Sequence, residues 1–238
     1  MSEIPEIPED AAEHEAGHDF QQDRWPASIA IVTCIVLYVV LPEALVIKPT
    51  WLVPTLEVLV LIPLIWSRHR NEVQPEWARK MAIGLVGLIS LSNVISIGFL
   101  VHSLLKTGSS PTDGRTLVFS AALIWITNVI AFSLWFWEID RGGPRVRFTP
   151  KERWPDFQFP QMENPKLAQP NWRPRYLDYL YVALTNGAAF SPTDAMPLTI
   201  TAKMLMSIES LASMVTVLVV AFTPFSWSAP LPLAASTL

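Results

Sequence analysis

Five apolar runs constrain this chain more than any other feature of its sequence. They lie at residues 27–47, 51–66, 81–105, 116–137 and 198–222. An α-helix needs about 20 mostly apolar residues to cross the hydrocarbon core of a bilayer, and every run except the short second one approaches that length. We therefore predict an all-α integral membrane protein with about five transmembrane helices.

The composition argues against a soluble enzyme. The chain is 51% hydrophobic and only 16% charged, whereas a soluble domain carries about 25% charged residues. The sequence has no P-loop, dinucleotide fingerprint, HExxH or GxSxG motif. Its basic residues do not accumulate into the kind of face that binds nucleic acid. We predict no enzymatic activity, no cofactor, no metal site and no nucleic-acid partner.

The two ends of the chain differ from its apolar middle. The first 23 residues hold eight acidic and no basic side chains, so residues 1–24 are predicted to form a disordered acidic tail. Residues 25–105 form an N-terminal membrane part with three spans. Residues 223–238 form an uncharged C-terminal tail.

Residues 116–222 are arranged differently from a simple series of spans. A span is followed by a polar linker at 138–175, a short apolar helix at 176–189, a turn at 189–194 and a last span at 198–222. A helix of about 12 residues reaches only about 18 Å and cannot cross a bilayer. Irregular backbone at membrane depth is tolerated only where it is buried in protein or lines water. This order predicts a re-entrant helix of the kind found in pore loops.

The same segment resembles the pore loop and inner helix of tetrameric potassium-type channels. Asp194 matches the acid that ends their filter, residues 196–199 (MPLT) match the step into the inner helix, and Glu209-Ser210 falls where an inner-helix Glu-Gly pair is common. The resemblance implies a homotetramer, a permeating cation, and a constriction with Glu209 and Ser210 on the inner helix. The residues implied at the constriction are Thr185, Asn186, Phe190, Ser191, Pro192, Thr193 and Asp194.

The turn departs from the potassium pattern because it contains no glycine. Glycines let successive backbone carbonyls of a potassium filter face the axis. Here Pro192 fixes φ, and Phe190 would be strained in left-handed geometry. A ring of Ser191 and Thr193 hydroxyls with Asp194 carboxylates remains, which favours cations with weak selection among them. Alternatively, the same residues form a simple turn and helix cap in a fold that does not conduct.

The whole chain also resembles a widespread family of uncharacterised bacterial multi-spanning membrane proteins. The motifs that carry this likeness are WFWEIDRGGP at 135–144, PDFQFPQM at 155–162 and TNGAAFSPTDAMPLT at 185–199. The likeness implies a multi-pass protein of the bacterial inner (plasma) membrane and implies no particular activity.

Three polar residues inside the apolar runs are further candidates for function. Asn93 and Asn128 either form hydrogen bonds between helices or contact a substrate, and Glu57 either serves a function or faces a wet crevice between helices. Convergence of these three side chains on one cavity would favour a small transporter. A non-conducting membrane scaffold or sensor is the other alternative to a channel.

Two arguments about orientation give opposite answers. Basic residues concentrate in the loop after the second run and in the linker after the fourth, and the positive-inside rule makes both cytoplasmic. The channel resemblance places the linker outside.

Overall fold

The computed structural model describes residues 9–69, 76–106, 114–144, 146–147, 153–164, 166, 168–169, 172–191 and 194–223. Within these ranges it describes side chains except at residues 9–24, 63, 65–69 and 76. Pro192 and Thr193, two of the predicted pore residues, lie outside the described residues, as do residues 1–8 and 224–238.

The described part of the chain is mainly helical. Its helices are α1 (Glu9–Val40), α2 (Leu52–His69), α3 (Glu76–Leu105), α4 (Gly114–Ile139), α5 (Pro160–Glu163), α6 (Tyr176–Ala189) and α7 (Ile200–Phe222). Short 3-10 turns at Glu43–Leu45 and Asp140–Gly142 follow α1 and α4. Two short strands, β1 (Phe157–Gln158) and β2 (Met196–Pro197), pair antiparallel.

Three helices are long and apolar enough to cross a membrane. They are Trp77–Leu105 in α3, Gly114–Gly142, which contains α4, and Ile200–Phe222, which is α7. The apolar stretches Trp25–Val40 in α1 and Leu52–Ile62 in α2 are shorter. The chain therefore has the helices of a membrane protein, with three full-length candidate spans among the described residues.

The first helix differs from the prediction at both ends. It ends at Val40 rather than continuing to residue 47, because Pro42 disfavours helical backbone at the residue before it. It begins at Glu9, within the segment predicted to be a disordered tail. This segment is rich in Ala, Glu and Gln, which favour helix, and it is continuous with the apolar helix that follows.

Helix α4 is the centre of the bundle. It packs against α1, α3, α6 and α7, while α2 packs mainly on α3. Ser120, Ile124, Asn128 and Leu134 of α4 are almost completely buried. Because α4 contacts the other elements on several sides, side chains from α3, α6 and α7 can meet against it.

Helix α6 runs from the end of α4 into the interior of the bundle, and the segment after α6 returns to the side of the bundle at which α6 begins. Near its start, the Tyr179 hydroxyl donates to Asp140, just after α4. Near its end, Asn186 donates to the carboxylate of Glu209, which lies about 14 Å along α7 from its first residue. The following segment returns to pair β2 with β1 of the linker before α7 begins. This path has the helix bounds predicted for the re-entrant element.

Candidate functional site

The turn after α6 begins with a left-handed residue. Phe190 caps the helix at φ 56° and ψ 25°, and its N–H donates to the Asn186 carbonyl over 2.9 Å. A non-glycine residue in this conformation costs about 1–2 kcal/mol. Phe190 is 44% exposed, so contacts within the described chain cover only part of this residue.

The predicted pore residues that the structure describes fall into two groups. Phe190, Ser191 and Asp194 are exposed on the surface of the single chain. Thr185 and Asn186 are less exposed: Thr185 is half-buried, with its hydroxyl donating to the Tyr181 carbonyl of its own helix over 2.9 Å, and Asn186 is buried. The turn therefore offers hydroxyl and carboxylate groups outward, while the end of α6 is fixed from within.

Asp194 lies close enough to the start of α6 to interact electrostatically with Asp178. Partial burial raises the pKa of Asp178, the N–H and charge of Arg175 lower it, and the repulsion from Asp194 raises it further. The Asp178 carboxylate accepts the Arg175 N–H over 2.6 Å. Two carboxylates thus lie near one another where the return segment passes the beginning of α6.

A second group of polar side chains lies inside the bundle. We define the intramembrane polar cluster as Asn93, Asn128, Asn186, Glu209, Ser210 and Ser213. Asn93 donates to the Asn128 side-chain oxygen over 3.3 Å, and Asn128 donates to the Ser213 hydroxyl over 3.1 Å. The Asn186 amide donates to Glu209 over 2.7 Å and accepts from Ser210 over 3.3 Å. The cluster joins α3, α4, α6 and α7 by hydrogen bonds that hydrocarbon cannot supply.

Glu209 and Ser210 differ from the expectation that they line a pore. Glu209 is fully buried, and it lies against α6 of its own chain. One of its oxygens, Oε1, has no hydrogen-bond partner among the described residues. Gly187 allows this approach, because a Cβ there would lie 3.1 Å from the Ser213 hydroxyl and 3.3 Å from a Val129 methyl carbon.

Glu57 does not join this cluster. It is buried on α2, within electrostatic range of Cys34 and Tyr38 on α1. Among the described side chains, its Oε2 atom has no hydrogen-bond partner. Asn93 and Asn128 do meet, but no described hydrogen bond connects either of them to Glu57. A transporter would be favoured if all three side chains met in one cavity, and these hydrogen bonds join only Asn93 and Asn128.

Sequence reasoning missed a third group, at the end of α4. We define the Asp140 cluster as Asp140, Arg147, Asp156 and Tyr179. Asp140 is fully buried and accepts the Asp156 N–H over 2.7 Å and the Tyr179 hydroxyl over 2.5 Å. The Arg147 guanidinium lies 4.0 Å from the same carboxylate and 4.9 Å from the centre of the Tyr179 ring.

Asp156 extends this cluster to α7. Its two carboxylate oxygens accept the Arg141 N–H over 3.2 Å and the Thr199 hydroxyl over 2.6 Å. Its carbonyl accepts the Leu198 N–H over 2.8 Å. The linker thereby fixes the ends of α4, α6 and α7 relative to one another.

The linker motifs contained a signal for this arrangement. Apolar residues flank Asp156 and alternate with prolines in PDFQFPQM, and this pattern predicts an extended segment on the protein's own surface. Phe157 and Phe159 are indeed buried and pack edge-on against the Tyr179 ring. The pairing of Asp140 with Arg147 was not predicted, because both were assigned only to a polar linker.

Comparison with known proteins did not identify a relative of this chain. No family model matches the chain, and no curated protein or solved structure matches it. The searched part of the structure, which is limited to the described residues, holds no group of three or more His, Cys, Asp or Glu side chains suited to a metal ion. The geometry of α6, the turn and α7 is therefore the basis for inferring a function.

Proposed function

We propose that this protein is a weakly selective cation channel in which the turn between α6 and α7 forms the constriction. The observation that carries the proposal is the path of α6, which enters the bundle beside Asp140 and reaches Glu209 before the chain returns to the linker. A helix and an irregular return segment at this depth require either a protein covering or a water-filled space. A pore supplies that space.

The chemistry of the turn supports cations as the permeating ions. Ser191 and Asp194, three residues apart, are both exposed, and residues 189–194 contain no Lys or Arg. A ring of carboxylates attracts cations and repels anions. The Phe190 cap and Pro192 do not favour a ladder of converging carbonyls, so discrimination among cations is expected to be weak.

Several copies are needed because one chain supplies only one re-entrant turn. Exposed apolar side chains, including Leu177 and Tyr181 on α6 and Met204 and Leu211 on α7, cover the outward face of this module. Such a face is suited to lipid or to another copy of the chain. By analogy with pore-loop channels, we propose a homotetramer.

We also propose that α1 and α2 cross the membrane, which would give five spans in a multi-pass protein of the bacterial inner membrane. Ile29 and Val39 of α1 and Leu59 and Ile62 of α2 are more than half exposed. These exposed apolar side chains on α1 and α2, together with those on α6 and α7, favour lipid around the bundle. The short apolar stretch of α2 can be accommodated by local bilayer thinning.

A non-conducting scaffold or sensor of the same fold is the second candidate. The observation that favours it is the direction of Glu209 and Ser210, which bond to Asn186 within the same chain. An inner helix whose polar residues are used internally presents an apolar face, and an apolar pore lining can exclude water.

Cation flux into proteoliposomes tests the channel directly. The Asp194→Asn variant should lower the preference for cations over anions by roughly tenfold, because the carboxylates raise the local cation concentration. Ser191→Ala should change the preference among cations. Glu209→Gln is the matched control, because this carboxylate is buried in its own chain, and it should leave ion preference unchanged. Absence of flux for the wild-type chain under every gradient and voltage would reject the channel and favour the scaffold.

A further inference from the structure

An open cavity of about 790 Å³ lies where the ends of all three full-length candidate spans meet. Arg79, near the start of α3, Arg141, just after α4, and Thr201, in the first turn of α7, contribute to its wall. Arg153 and Trp154 of the linker complete it. The cavity is separate from the turn after α6, so nothing said of it depends on ion conduction.

The lining of the cavity is predominantly basic. Three arginines face one carboxylate, that of Asp156. One oxygen of Asp156 accepts a hydrogen bond from the backbone N–H of Arg141, and the other accepts one from the Thr199 hydroxyl. Two further carboxylates lie behind the wall: Asp140, which is fully buried and pairs with Arg141 and Arg147, and Glu138, which is buried at the same end of α4. The arginines Arg79, Arg141, Arg147 and Arg153 still outnumber the carboxylates Glu138, Asp140 and Asp156. The cavity therefore has a surplus of positive charge.

Backbone geometry brings two of these arginines together. Gly142 and Gly143 adopt φ values of +84° and +96°. A Cβ on Gly142 would lie 3.2 Å from the Arg153 side chain, and one on Gly143 would lie 3.1 Å from the Arg79 Nε atom. The two glycines thus let Arg79 and Arg153 approach the same turn from opposite elements.

The positive ends of two helices face the same region. Arg79 and Thr201 lie in the first turns of α3 and α7, where helix dipoles favour anions. The opposing negative end of α4 is offset by guanidinium groups, since Arg147 donates to the Trp137 carbonyl over 2.6 Å and Arg79 to the Glu138 carbonyl over 3.5 Å. The net field in the cavity favours an anion.

We propose that this cavity binds a phosphate group, such as that of an anionic phospholipid. Planar guanidinium groups bind phosphate oxygens through paired, charge-assisted hydrogen bonds. The cavity lies at the ends of membrane-spanning helices and carries the almost fully exposed Trp154 at its edge. Tryptophan is typical of the lipid headgroup region, so the expected source of the phosphate is the membrane.

Binding can be measured with the full-length chain in a neutral detergent. Short-chain phosphatidylglycerol is titrated while thermal unfolding is followed, and phosphatidylcholine is titrated in parallel. A ligand that binds the folded state raises Tm with increasing concentration. We expect phosphatidylglycerol to bind more tightly than phosphatidylcholine.

The variants identify the cavity as the site. Arg153→Gln, at an exposed position, should weaken phosphatidylglycerol binding roughly tenfold, the effect of losing one charge-assisted hydrogen bond. Arg79→Gln should have a similar effect. Lys166→Gln is the matched control, because Lys166 is an exposed cation of the same linker and does not line the cavity.

Inorganic phosphate and glycerol 3-phosphate, added without lipid, distinguish the sources. Binding of either with the same dependence on Arg153 would support a phosphate site supplied from solution. Equal binding of phosphatidylglycerol and phosphatidylcholine, equal losses in Arg153→Gln and Lys166→Gln, or no binding of any of these probes would overturn the proposal.

Discussion

In the part of the chain that the structure describes, two turns contain a non-glycine residue with positive φ, and they are stabilised in different ways. Arg141, after α4, has φ 55°, and Phe190, after α6, has φ 56°. The Arg141 N–H donates to Asp156, and its guanidinium lies 3.6 Å from the buried Asp140. Phe190 is held by one helix-capping hydrogen bond and is 44% exposed.

The difference indicates that the two turns do not obtain their stabilising contacts from the same source. The first is surrounded by the Asp140 cluster and is complete within one chain. The second presents Ser191 and Asp194 outward from the same chain. Strained backbone persists where surrounding contacts fix it, so we expect the second turn to gain its remaining contacts from neighbouring copies.

The largest effect is expected from Asp140→Asn, which breaks the first turn. The substitution removes the charge that faces the buried Arg147, and leaving one buried charge without its partner costs about 3–5 kcal/mol. Thermal unfolding in detergent should show a large fall in Tm. Asp194→Asn, which changes an exposed carboxylate, should change stability by less than about 0.5 kcal/mol. Equal effects of the two substitutions would contradict the comparison.

Gly143→Ala tests the backbone of the same turn and should have the next largest effect. The new Cβ would lie 2.9 Å from the Glu138 carbonyl oxygen at φ +96°, and such strain costs of order 1–3 kcal/mol. Gly98→Ala is the control, because no atom lies within 4 Å of that Cβ position. A Tm for Gly143→Ala as high as that of Gly98→Ala would show that this turn tolerates a side chain.

Phe190→Gly is expected to have the smallest effect and the opposite sign. Glycine relieves the left-handed strain, so the Tm of the protein in detergent should rise slightly, by an amount equivalent to at most about 1 kcal/mol. A marked fall in Tm would show instead that the Phe190 ring is already well packed within one chain.

The apolar pattern predicted much of the fold. The re-entrant helix was predicted at residues 176–189, and α6 has the same bounds, while α7 begins at Ile200, two residues later than predicted. These boundaries follow from local features, the apolar run and the proline-containing turns around it. The count of about five spans is not confirmed, because among the described residues three helices are long and apolar enough to cross a membrane.

The contacts inside the bundle were less predictable because they join distant parts of the chain. Asn93 and Asn128 were recognised as buried amides, and their hydrogen bond agrees with the structural alternative for them. The partner of Glu209 could not be inferred, since it depends on the depth that α6 reaches. Arg147 was assigned to the polar linker, and its burial was not predicted because it depends on packing against the Tyr179 ring of α6.

We propose that the turn after α6 lies beside the same turn of neighbouring copies. This arrangement can be tested by disulfide cross-linking of Ser191→Cys in membranes, in a Cys34→Ala background, because Cys34 is the one cysteine of the sequence. Leu59→Cys, on the exposed face of α2, is the control. If the turns of neighbouring copies lie side by side, oxidation should give covalent dimers for Ser191→Cys and leave monomers for Leu59→Cys. Monomers for Ser191→Cys, in membranes where the protein is folded, would contradict it.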